Sequence, residues 1–89
     1  MLEREPPVSN RLGLHARATA KLVQVLSGFR CNATLSAKGR EVNAKSIMGV
    51  MLLAAGQGTP VTVRVDGAGE AEAMDAVVAL FERRFDEET

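Results

Sequence analysis

Val61, Val63 and Val65 alternate with Thr62, Arg64 and Asp66, and this alternation constrains the fold more tightly than any other stretch. Side chains of a strand point to opposite faces in turn, so a strict apolar/polar alternation describes a strand buried on one side and wet on the other. Cys31, Ala33, Leu35 and Ala37 repeat the pattern against Asn32, Thr34 and Ser36. Lys38-Gly39 makes a tight turn into a short return strand, Arg40 to Val42. Leu2 to Val8 is a weaker strand. Pro6 and Pro7 remove two consecutive ladder donors, which suits a sheet edge.

Between these strands the apolar period changes from two to 3.6. A first helix is expected over Ala16 to Ser27, with Thr19, Leu22, Val23 and Leu26 as its buried stripe. Lys21, Gln24 and Ser27 face water in that register, and Gly28 follows as a C′ residue. Ser46 is an N-cap for a second helix, Ile47 to Ala55, that Gly56 stops. That helix is apolar nearly all round, with Ile47, Val50, Leu53 and Ala54 on one face and Met48, Met51, Leu52 and Ala55 on the other. A small domain buries one face of so short a helix, so some of Ile47, Met48, Met51 and Leu52 are expected at the surface. A third helix is expected from Glu70 to about Phe85, buried through Ala73, Met74, Val77, Leu80, Phe81 and Phe85. Glu70 and Glu72 at its start and Arg83 and Arg84 near its end suit the helix dipole. The acidic tail Asp86-Glu87-Glu88 is expected to fray.

The order is βαββαβα. Half-wet strands with helices on one face make an α+β two-layer sandwich, and the two βαβ-like halves resemble a split, ferredoxin-like arrangement. Eighty-nine residues make one domain, 1–89, and 46% hydrophobic residues allow one modest core. With no tryptophan or tyrosine, that core is aliphatic around three phenylalanines. Eleven basic residues balance eleven acidic ones, which argues against broad binding to nucleic acid or anionic lipid. The N-terminus lacks the apolar stretch of a secretory signal. The longest apolar run, Ile47 to Gly56, is about half of the ~20 residues a membrane helix needs. The single cysteine, Cys31, forms no internal disulfide and reads as a small apolar strand residue. A cytoplasmic protein, without membrane insertion, is expected.

Chemistry centres on Gly13-Leu14-His15-Ala16-Arg17, which holds the only histidine. His15 falls at the start of the first helix, where unpaired backbone N–H groups and the helix dipole favour an anion. An imidazole is a competent nucleophile near neutral pH because its pKa lies near ~6.5. The N–H groups of Ala16 and Arg17, with the Arg17 guanidinium, suit phosphate oxygens. A lone histidine is more often an ordinary surface residue, and an exposed arginine alone says nothing. No metal-ligand cluster or nucleophile–base set competes, and no cofactor is expected. Ser46 has a sufficient role as an N-cap, although a phosphate at a helix start is also stabilised. Met48 and Met51 suit either a core or an adaptable protein surface.

Gly13-Leu14-His15-Ala16-Arg17 together with Lys45-Ser46-Ile47-Met48-Gly49-Val50-Met51 resembles HPr, the histidine phosphocarrier family of the bacterial phosphotransferase system, over essentially the whole chain. The resemblance implies an open-faced β-sandwich: a four-stranded antiparallel sheet with three helices on one face and the first strand at an edge. It implies that His15 accepts a phosphoryl group on Nδ1 from phosphorylated enzyme I and passes it to a histidine of an enzyme II A domain. Arg17 then assists. Ser46 matches a regulatory serine phosphorylated in some lineages by HPr kinase/phosphorylase. Ala20, Ile47, Met48 and Met51 match a docking patch for partners. The protein would be a carrier, without an oligomer required. Ala18 stands where sugar-transport members usually have proline. With the Phe85-Asp86-Glu87-Glu88 ending, this resembles the nitrogen-related branch or the HPr of bacteria with a truncated, regulatory system. The alternative is a non-phosphorylated, ferredoxin-like binding domain in which His15 is structural. An RNA-binding version lacks strand aromatics for stacking.

Overall fold

A computed structural model describes residues 1–87 of the chain. Its elements are β1 (Leu2–Arg4), α1 (Ala16–Ser27), β2 (Asn32–Ala37), β3 (Arg40–Asn43), α2 (Ile47–Leu52), β4 (Thr62–Asp66) and α3 (Glu70–Glu82), followed by a closing turn, Arg84–Asp86. The four strands form one sheet in the order β1-β4-β2-β3, with every neighbouring pair antiparallel. β1 and β2 therefore run parallel with β4 between them, and β3 and β4 run parallel with β2 between them. Each βαβ half is split by a strand of the other, as the sequence suggested. Three helices on a four-stranded antiparallel sheet make the expected open-faced sandwich.

Alternation sets the register. Ala33 faces Val65 and Leu35 faces Val63 across β2 and β4, and all four side chains are buried. On the wet face, Arg64 sits opposite Glu3, bonds it at 2.8 and 3.0 Å, and reaches Glu41 at 3.7 Å. These exposed pairs contribute little each, but they favour this register over a slipped one. The core collects Leu22 and Leu26 of α1, Val77, Leu80 and Phe81 of α3, and the inward residues of β2 and β4. Thr19 joins it because its hydroxyl donates to the Leu14 carbonyl at 3.1 Å.

Several expectations are corrected. β1 ends at Arg4, before the prolines, although it does lie at the sheet edge. β2 begins at Asn32, with Cys31 buried just before it, and β3 extends to Asn43. Gly28 closes α1 in right-handed geometry (φ −79°), so it is not a left-handed C′ residue. Val23 is only half-buried, while Ala18, outside the expected stripe, is fully buried. Lys21 is half-buried and bonded to the closing turn instead of facing water.

α2 stops at Leu52, three residues early. Leu53 and Ala54 donate to carbonyls three residues back, and Ala54 takes a left-handed φ of 49°. This tight exit carries Leu53 and Ala55 into the core and turns out Ile47, Met48, Met51 and Leu52, all exposed. α3 ends at Glu82, so Arg83 caps it and Arg84 lies beyond it. Phe85 leaves the helix but keeps its buried place, its ring centroid 4.8 Å from that of Phe81. Nor do Asp86 and Glu87 fray: both are bonded back onto the domain, while Glu88 lies outside the described residues.

Candidate functional site

Two conformational features build the loop before α1. Gly13 has φ +67°, and a Cβ there would lie 2.6 Å from the Gly56 Cα and closer still to the Ala55 carbonyl oxygen. Only glycine fits this approach without strain. The approach lets Leu14 N–H donate to the Ala55 carbonyl at 2.8 Å, tying the loop to the segment that leaves α2. Asn10, fully buried, holds the loop from inside: its Nδ2 donates to the Gly13 carbonyl at 2.7 Å.

His15 follows as the N-cap residue of α1, extended at φ −77° and ψ −177°. Its side chain does not cap the helix. Among the described residues no acceptor is bonded to the backbone N–H of Ala16 or Arg17, and such a helix start favours an anion. The imidazole is partly exposed, at 28%, on an open cleft of about 600 Å³ lined by Leu12, His15, Ala16, Arg17, Lys21, Asp86 and Glu87. Three of those side chains, His15, Arg17 and Lys21, are basic or become so on protonation, which suits an anionic occupant.

The closing turn supplies the far wall. Glu87 reaches back so that Oε2 meets His15 Nε2, and Oε1 accepts from Asn10 Nδ2 at 2.9 Å. Burial alone would push the Glu87 carboxyl up. The hydrogen bonds from Asn10 and His15, with the charges of His15 and Arg17, outweigh it and hold the carboxyl below the usual glutamate value. Lys21 donates to the Phe85 carbonyl at 2.8 Å and lies 3.5 Å from Asp86. Arg83 bonds Asp86 at 2.9 Å and is the main reason its carboxyl is held low.

The second motif lies on α2, which packs against α1. Ser46 is its N-cap, with Oγ accepting from Gly49 N–H at 3.1 Å, and is itself half-buried. Ile47, Met48, Met51 and Leu52 form an exposed apolar surface, and Ala20 is exposed on α1. The structure thus brings His15, Ala16 and Arg17 onto one cleft and leaves Ser46 on the neighbouring helix. Sequence reading missed Asn10, Lys21 and Glu87. Asn10 read as a loop residue, Lys21 as a solvated one and Glu87 as a frayed one. Only the buried aromatic Phe85, two residues before Glu87, hinted that the C-terminus is tied down.

A family model described as the PTS HPr component phosphorylation site matches residues 2–83. Among curated proteins, the phosphocarrier protein HPr of Xylella fastidiosa is 68% identical over 89 residues, covering all of both chains. The phosphocarrier protein HPr of Cupriavidus necator is 55% identical over 87 residues, covering 98% of each. Among solved structures, HPr-C-His from Thermoanaerobacter tengcongensis superposes with a TM-score of 0.96 at 42% identity, covering all of both chains.

Proposed function

The chain belongs to the HPr family and serves as a phosphocarrier of the phosphotransferase system, and on that premise we propose that His15 is the residue that carries the phosphoryl group. The observation that carries this reading is the position of the chain's single histidine: N-cap of α1, ring on an open cleft, first-turn N–H groups and Arg17 beside it. Family membership does not favour the reading of a binding domain with a structural histidine.

Partners of the enzyme I and enzyme II kind follow from the family. In our reading enzyme I, charged by phosphoenolpyruvate, is the donor, and a histidine of an enzyme II A domain is the acceptor. The His15 Nδ1 lone pair attacks phosphorus, and the N–H groups of Ala16 and Arg17 with the Arg17 guanidinium hold the phosphoryl oxygens. A shallow site at a helix start favours a carrier, because the group is held yet stays open to in-line attack. Ser46 is a control point: a phosphate added there by HPr kinase/phosphorylase puts negative charge beside the apolar surface of Ile47, Met48 and Met51, which with Ala20 docks partners. One domain, 1–89, acting as a monomer in the cytoplasm completes the proposal. Among the described residues no helix is long and apolar enough to cross a membrane.

The test is direct. Incubated with enzyme I and phosphoenolpyruvate, the protein should gain an acid-labile, base-stable phosphate, and His15→Ala should gain none. Equal uptake by the His15→Ala variant would falsify the assignment.

A further inference from the structure

Glu87 is tied to His15 by more than its own contact. Asn10, fully buried, uses both Nδ2 hydrogens, one on the Gly13 carbonyl and one on Glu87 Oε1. The backbone leading to Glu87 is held independently. Arg84, Phe85 and Asp86 all have left-handed φ, at 56°, 56° and 62°, an unfavourable run for residues with a Cβ. It persists because Phe85 is buried against Phe81, Lys21 Nζ donates to the Phe85 carbonyl, and Arg83 holds Asp86. The carboxylate is thus delivered to the ring by an anchored turn.

The chemistry of that contact is directional. A carboxylate held ionised has only acceptors, so the ring nitrogen it meets must carry the hydrogen. A neutral imidazole with hydrogen on Nε2 has its one lone pair on Nδ1. The negative charge lies at the ring nitrogen that does not react, while Arg17, the α1 N-terminus and Lys21 attend the cleft. An inhibitory carboxylate would instead be expected at Nδ1, in the path of the incoming group.

We propose that Glu87 is a positioning residue for phosphoryl transfer: it fixes His15 as the Nε2–H tautomer, presents Nδ1, and balances the positive charge that the ring gains. This rests on the reading of His15 as the phosphoryl acceptor. As the Nδ1 lone pair forms the bond to phosphorus, the bond from phosphorus to the donor breaks and its electron pair leaves with the donor. The proton on Nε2 stays there, so the ring becomes cationic with Glu87 Oε2 against it. Transfer to the acceptor reverses these events and restores the neutral ring. A carboxylate that orients an imidazole and stabilises its cation has the role of the aspartate in a Ser-His-Asp triad.

The experiment uses the full chain with enzyme I and phosphoenolpyruvate, comparing wild type with Glu87→Gln and Glu87→Ala. Rates of phosphoryl uptake are measured across carrier concentrations, and His15 ring 15N shifts are recorded at neutral pH. Wild type should show the Nε2–H tautomer alone. Both variants should lose about tenfold in maximal rate with KM changed less than about twofold, and Glu87→Ala should show a tautomer mixture. Variants as fast as wild type or faster, a change in KM alone, or an unchanged tautomer in Glu87→Ala would each overturn the role of Glu87. Absence of phosphate on His15 in wild type overturns the acceptor assignment instead, a separate failure.

Discussion

Gly13 and Glu87 frame His15 from opposite ends of the chain, and each makes a prediction. At Gly13 the left-handed φ and the close approach of the Ala55 carbonyl and the Gly56 backbone leave no room for a side chain. Gly13→Ala should lose about 3 kcal/mol in denaturant unfolding, since both backbone strain and a backbone clash oppose it. Full retention of stability would show that the loop relaxes freely. Glu87 and Asp86 both have carboxyls held below their usual values when folded. A lowered carboxyl contributes stability above its unfolded pKa and loses it as pH falls through the folded value. The closing turn should therefore stay docked at neutral pH and loosen only below about pH 4, as amide exchange or NMR shifts of residues 84–87 would record. Glu87→Gln should remove part of that acid dependence. The places of Arg17 beside the helix start and of Ser46 as an N-cap were legible at this scale because each stands in a short local motif. Glu87 was not, because its partner is 72 residues away.

The short α2 shows how an element serves two ends. Six residues give it too few internal hydrogen bonds to stand alone, so the Ser46 cap and the burial of Val50 and Leu53 hold it. Ser46→Ala should cost about 1 kcal/mol in urea unfolding, with phosphate uptake by His15 nearly unchanged. Ser46→Asp keeps an acceptor at the cap and adds charge beside the apolar surface. It should slow transfer from enzyme I while the unfolding midpoint moves little; equal transfer kinetics would remove Ser46 as a switch on this step. Sequence periodicity located α2 and foresaw its exposed residues, but it ran the helix on to Ala55. Propensity favoured continuation, whereas burying Ala55, which a continued helix would place on the exposed face, required the chain to turn. The end of α3 went the same way, with Phe85 kept in the core by leaving the helix.

Across the whole molecule, the sandwich separates its tasks by surface. The open face of the sheet carries paired charges, the inner face carries the aliphatic core, and the helical layer carries both the cleft and the apolar patch. Because Met48 is 72% exposed, Met48→Glu should leave stability within about 0.5 kcal/mol. It should also raise the KM for transfer from enzyme I, and an unchanged KM would exclude Met48 from the docking surface. By itself the sequence determined the class of fold, the order of its elements, the wet and dry faces of the two central strands, and a histidine at a helix start. Those properties are local: they follow from period and from turn and cap residues, which act over a few positions. Only the tertiary structure decided where helices stop and what closes on the histidine. Both depend on left-handed residues at Ala54 and at Arg84 to Asp86, which local propensity disfavours and which distant burial and hydrogen bonds enforce.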